Sequence, residues 1–123
     1  MRIPIVKLRE TLIATVDEDL TDQGALEFQE TLNRQIERTG ATGVLIDVSL
    51  LLTIDSFLGR LLFEIASGAR LLGARTVVAG IQPAVALTLV ELGLDLGSIR
   101  TVLTAERGLR LLSDGTSGQS LGR

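Results

Sequence analysis

Apolar positions along the chain change rhythm several times, and each change marks an element. Ile3 to Leu8 and Leu12 to Val16 are short apolar runs separated by Arg9-Glu10-Thr11, a spacing that predicts two paired strands with a tight connection. From Ala25 the period lengthens: Ala25, Phe28, Leu32 and Ile36 recur at three- and four-residue steps, with Glu27, Glu30, Arg34 and Glu37 on the other side. This predicts a helix capped by Thr21 or Asp22 and stopped at Gly40. Val44-Leu45-Ile46-Asp47-Val48 is apolar without alternation, as a strand covered on both faces should be. A long helix then opens at Asp55-Ser56, with Phe57, Leu61, Ile65, Gly68 and Leu72 as its stripe, widened by Leu58, Leu62 and Ala69, and with Gly73 as its stop.

Thr76 to Ala79 reads as another buried strand and Gly80 to Gln82 as a turn. Pro83 opens a helix striped by Val85, Leu89 and Leu92 and ended by Gly93. Leu87 lies about 200° round from Val85 at about 100° per residue, so either a neighbouring element or a partner covers it. Ile99 to Leu103 is a short strand, and Thr104 caps a last helix carrying Leu109 and Leu112. From Ser113 the chain is too polar to offset its own ordering, which divides it into a domain over 1–112 and a flexible polar tail over 113–123.

The order strand, strand, helix, strand, helix, strand, helix, strand, helix defines an α/β fold. It predicts a mixed, mostly parallel sheet of four to five strands packed with about four helices. Turns at the carboxyl ends of parallel strands gather on one edge, so Thr53 to Phe57 and Gly80 to Pro83 are expected to be neighbours.

Composition narrows the chemistry. The 123 residues suffice for one core, and the absence of Cys and His removes disulfides, thiolate or imidazole metal ligands and every Ser-His-Asp arrangement. Without Trp or Tyr, with three Phe and a formal charge of −3, the chain lacks both stacking platforms and the cationic excess of a nucleic-acid-binding face. Met1-Arg2-Ile3-Pro4-Ile5 has no secretory core, and the oily region from Thr76 to Gly97 is broken by Gln82, Pro83 and Glu91. A cytoplasmic protein without membrane or nucleic-acid partners is expected.

Asp55-Ser56 displays a small hydroxyl at a strand-to-helix turn. On spacing alone an ordinary helix start accounts for it; the functional reading is an acceptor for phosphate. A nucleophilic role lacks a partner, since only carboxylates or the lone Lys7 could act as base and no Gly-x-Ser-x-Gly elbow occurs. Gly40-Ala41-Thr42-Gly43 reads as a helix stop and turn rather than a phosphate loop. Asp17, Glu18 and Asp19 diverge as consecutive acids do and read as a solvated turn, so neither metal nor cofactor is expected.

Ile46-Asp47-Val48 followed by Ile54-Asp55-Ser56-Phe57 resembles the marker of the STAS domain family, a strand, an Asp-Ser pair and a helix. Lys7-Leu8, the run from Asp22 to Glu30, Thr39 to Val44 and Gly80-Ile81-Gln82-Pro83-Ala84-Val85-Ala86 extend the likeness over roughly residues 1–112, toward the stressosome branch of that family. The resemblance implies a non-enzymatic scaffold whose serine, here Ser56, is phosphorylated by an RsbT-like switch kinase and restored by an RsbX-like phosphatase. It implies self-association in a large assembly with an RsbR-like paralogue. Contacts with the kinase and other partners are expected at Ile54, Asp55, Phe57, Gly80, Gln82 and Leu87. Rival readings are a free anti-anti-sigma factor and a stand-alone ligand-binding domain of the same fold.

Overall fold

The computed structural model describes residues 3–94 and 99–118. In chain order the elements are β1 (Ile5–Leu8), β2 (Thr11–Thr15), α1 (Asp22–Thr39), β3 (Gly43–Asp47), α2 (Ser56–Leu71), β4 (Arg75–Ala79), α3 (Pro83–Glu91), β5 (Arg100–Val102) and α4 (Ala105–Gly118). The strands form one five-stranded sheet in sequence order. β1 and β2 pair antiparallel, Leu8 opposite Thr11, so the turn is Arg9-Glu10 alone and Arg9 takes the left-handed φ of 56° that a two-residue hairpin loop demands. All later pairs are parallel, with Leu12 opposite Val44, Val44 opposite Thr76 and Val77 opposite Arg100.

Alternation along the strands sorts the core into two clusters, one per face. Leu12, Ala14, Val44, Ile46 and Val78 pack with Phe28, Leu32 and Ile36 of α1, Leu61, Leu62 and Ile65 of α2, and Val85 and Leu89 of α3. Leu45, Val77 and Ala79 point the other way and meet Leu112 of α4, with Ile13, Val102 and Leu109 packed at the margin. β3 is therefore covered on both sides, which is why its sequence carries no polar alternation. The α1 stripe is buried as its period predicts, Thr21 Oγ1 accepts from Gly24 N at 3.0 Å to cap it, and Gly40 ends it at φ 71°.

The stripe of α2 is turned from its expected position. Phe57 and Leu72 keep 37% and 38% exposure, whereas the buried residues are Gly59, Leu61, Leu62, Ile65, Ala66 and Ala69. At about 100° per residue these span an arc centred roughly 120° round from Phe57. The cause is packing from two sides. Asn33 of α1 lies within 3.8 Å of where a Gly68 side chain would start, and α3 crowds Gly59, where a Cβ would come 2.8 Å from Leu92 Cδ1. Leu72 lies one position beyond the helix.

β5 covers Arg100–Val102 and leaves Leu103 exposed, shorter than the expected Ile99 to Leu103 run. Thr104 Oγ1 accepts from Arg107 N at 3.1 Å and caps α4 as expected. α4 then continues through Gly118, past the 112/113 boundary drawn from composition, and Leu112 is its deeply buried anchor. Residues 119–123 of the proposed tail, and 95–97 of the oily region, lie outside the described residues. Among the described residues no helix is long and apolar enough to cross a membrane. Because Leu112 remains when Asp114 to Arg123 are deleted, that truncation is expected to change unfolding free energy by no more than about 0.5 kcal/mol. Chemical denaturation of the two forms checks this, and a larger loss would show that the segment docks.

Candidate functional site

The site is built where β3 and β4 end side by side. Val48 N donates to Ala79 O at 2.9 Å, carrying the parallel pairing one bond past β3. The chain then turns: Asp47 Oδ1 accepts from Ser49 N at 2.9 Å, and Leu51 N donates to Val48 O at 2.9 Å. Leu51 is buried under the turn, while Leu50 and Leu52 on either side of it are exposed. Glu18 reaches across from the β2–α1 connection, its Oε2 accepting from Leu52 N at 3.4 Å. Ile54 is half-buried against the main core.

Asp55 and Ser56 divide the helix start between them. Asp55 is the cap, in extended backbone, and its Oδ1 accepts from Leu58 N at 2.9 Å. Ser56 is the first residue of α2, exposed, and its hydroxyl makes no hydrogen bond to the described residues. The carboxylate thus meets the helix's demand for an acceptor and leaves the hydroxyl outward. A phosphate placed there would sit at the positive end of a 16-residue helix with unpaired backbone N–H groups around it. Among the described residues no basic side chain is bonded to the hydroxyl.

Gly80 and Gln82 hold the turn from the β4 side. Gly80 has φ 76° and its N donates to Val102 O at 3.0 Å; a Cβ on it would stand 2.6 Å from Ser49 Cβ. Only glycine fits that approach. Gln82 Nε2 donates to Ser49 O at 3.0 Å, so the side chain that precedes α3 fastens the loop that precedes α2. The β4–α3 turn thus meets the β3–α2 connection at Ser49. Ile54, Asp55, Ser56 and Phe57 therefore share one loop and helix start, and Gly80 and Gln82 join them by way of Ser49. Leu87 stands apart on the outer side of α3 with 58% exposure, near the equally exposed Val90.

Two features of the site were invisible in the linear pattern. Ser49 is an ordinary loop serine by sequence, and its role comes from a neighbour 33 positions away. Asp17 and Glu18 do not simply face solvent. With Asp22 and Asp55 they line an open groove of about 370 Å³ whose floor includes Leu20, Leu51, Ile54 and Leu58. Asp17 Oδ1 also accepts from Asp19 N at 3.0 Å. Among the described residues no group of acidic side chains is arranged to hold a metal ion.

A parallel sheet entered by one antiparallel strand, with an Asp-Ser helix start between its central strands, is the arrangement of a known domain class. The STAS domain profile matches residues 2–106, and the chain belongs to that family. Its fold superposes on RsbS of Moorella thermoacetica, in a form carrying a serine-to-glutamate substitution, with 39% identity and a TM-score of 0.85 over 94% of this chain and 97% of that one. A chain from the stressosome, described as a signal integration and transduction hub, matches with 41% identity and a TM-score of 0.81 over 90% of this chain and 96% of its own. The RsbT co-antagonist protein RsbRA of Bacillus subtilis is 29% identical over 99 residues, 80% of this chain and 35% of its own length. The chain thus spans about a third of the curated relatives that it matches first.

Gly80→Ala tests the contact on which the site is assembled. The substitution combines a left-handed φ, roughly 1–2 kcal/mol for a residue with a Cβ, with a clash against Ser49, so a total loss of about 2 kcal/mol or more is expected. Thermal or denaturant unfolding measures it, and an unchanged midpoint would show that the loop yields freely.

Proposed function

We propose that this chain is a non-enzymatic, RsbS-like scaffold subunit of a cytoplasmic stressosome-type assembly, and that Ser56 is its phosphorylation switch. The unmodified chain holds an RsbT-like switch kinase together with RsbR-like paralogues. Phosphate on Ser56 weakens that hold, and an RsbX-like phosphatase restores it. The observation that carries this reading is the free, exposed hydroxyl of Ser56 at the start of α2, in a chain that matches RsbS over nearly its whole length. Ile54, Asp55 and Phe57 surround the hydroxyl and form the proposed kinase contact, with Gly80 and Gln82 setting the loop's position.

Magnitudes favour a switch of surface over a switch of fold. A phosphate of nearly two charges at ~6 Å from the Asp55 carboxylate, with an effective dielectric of about 40, meets repulsion of roughly 1–3 kcal/mol before screening by salt. The helix N-terminus returns about 0.3–1 kcal/mol. The domain therefore stays folded. A partner surface shaped around a neutral hydroxyl must instead desolvate the new charge, and a loss of about 2 kcal/mol there lowers affinity about thirtyfold.

Ser56→Ala is expected to bind the kinase and never accept phosphate. Ser56→Asp is expected to bind about thirtyfold more weakly while keeping a native circular-dichroism spectrum. Calorimetric titration and mass spectrometry after incubation with kinase and ATP make the comparison; phosphate on another residue, or equal affinities, would remove Ser56 from the mechanism. Leu87 is proposed as an assembly contact, because a large apolar side chain stays 58% exposed on the outer side of α3. Leu87→Arg should reduce entry into the large particle with the paralogue, read by size-exclusion chromatography, while the isolated domain folds normally. Normal assembly of that variant would leave Leu87 a lone surface leucine.

A further inference from the structure

The sheet ends on one side in β1, which pairs with β2 alone among the described residues. Val6 and Leu8 on it keep 59% and 49% exposure, while α4, on their side of the sheet, packs on β3, β4 and β5. Leu8 and Thr11 close a two-residue hairpin, so their backbone groups face each other, and alternation turns the N–H and C=O groups of Ile5 and Lys7 outward. The bond from Val16 N to Asp47 O fixes the same phase from the far side of β2, whose even-numbered residues face β3. Outward edge groups of this kind are a template for another strand. α1 adds a second feature. Glu27, Glu30, Arg34 and Arg38 fall within about 80° of one another at about 100° per residue, and with Ile3 and Ile5 they line a groove of about 620 Å³ beside the start of β1. The stripe is acidic before Leu32 and basic after it. Among the described residues Glu27 and Arg38 are in no ion pair, and Glu30 meets Arg34 only at 3.9 Å with both side chains largely exposed.

We propose that two copies of this chain join β1 to β1 antiparallel about a two-fold axis through Val6, making one continuous sheet. In that register Ile5 and Lys7 of each copy bond to Lys7 and Ile5 of the other, so outward groups meet outward groups and Val6 faces Val6. A register that set Lys7 on Lys7 would place like charges directly opposite each other. The axis that reverses β1 also reverses α1. Val6 pairs with Ile13, the middle of β2, and the stripe changes sign at Leu32, near the middle of α1, so one axis serves both. Glu27 and Glu30 of one copy therefore face Arg38 and Arg34 of the second across the joined strands, and the reverse holds on the other side of the axis. A surface complementary to itself under a two-fold is what a closed dimer requires, whereas a partner of uniform charge would match only half of the stripe. The strands supply the contact and the charges select its geometry. The surface uses no residue of the Ser56 site, so this inference goes beyond the switch reading and either can fail alone.

The chain has no cysteine, so Val6→Cys introduces a single thiol at the axis. A non-hydrogen-bonded antiparallel pair brings Cα atoms to about 4.5 Å, within disulfide range. With oxidised glutathione as oxidant, this variant should form a covalent dimer about tenfold or more faster than Leu71→Cys, whose site on α2 is 88% exposed. Sedimentation followed by interference optics, suited to a chain without Trp or Tyr, reads the unlinked dimer. Wild type should dimerise, and the pair Glu27→Arg with Glu30→Arg should weaken the dimer about tenfold or more, as should Arg34→Glu with Arg38→Glu. An equimolar mixture of these two variants should recover it, because each supplies the sign that the other has lost. Circular dichroism establishes that every form is folded. A thiol variant no faster than its control, wild type that is monomeric at all concentrations, or charge variants that dimerise like wild type or fail to rescue each other overturns the proposal. Pairing found only with an RsbR-like paralogue overturns it too, since a second copy of this chain would then not be the occupant.

Discussion

The bond from Val48 N to Ala79 O and the approach of Gly80 to Ser49 hold the functional end of the molecule together. The first carries the β3–β4 ladder into the loops. The second leaves no room for a side chain, so the two turns are locked at backbone distance. From that contact follow the path of residues 49–55, the place where α2 begins, and the outward aim of Ser56. Parallel strands make this possible, because they deliver consecutive connections to one edge of the sheet.

Much of this was legible in the linear pattern, for physical reasons that differ by element. α1 has one apolar face and one neighbour layer, so its three- and four-residue spacing translates directly into burial of Ala25, Phe28, Leu32 and Ile36. Asp55 was legible as a cap because the need for an acceptor at a helix start is local. α2 was harder. It packs against α1 on one side and α3 on another, and a helix held from two directions carries apolar residues over so wide an arc that no single stripe is privileged. Phe57 was assigned to the core on periodicity, and packing turns it outward. Ser49, Gln82 and Glu18 were illegible as a unit, since their bonds join positions more than thirty residues apart and depend on register. The length of α4 was missed for a simpler reason: polar composition predicts weak packing, and local helix hydrogen bonds do not require an apolar face.

Capping by one residue and display by the next leaves the exposed hydroxyl without a part in helix stability. A serine that capped its own helix would be needed by the fold, and modifying it would cost the helix its first bond. With Asp55 in that role, the neighbouring hydroxyl is free to change charge without touching the main core, which lies beneath Ile54 and Leu58.

The two faces of the sheet are unequally defended. One is shielded by three helices, whereas Leu45, Val77 and Ala79 on the other depend on α4, seated so closely that Gly108 would bring a Cβ within 2.6 Å of Leu45 Cδ1. Detachment of that last helix would be a sub-global opening confined to one side of the sheet. It would uncover one side of the central strands while Ser56 and its groove, on loops anchored to the opposite layer, kept their shape. Opening at α4 and a change of charge at Ser56 would therefore involve different halves of the molecule.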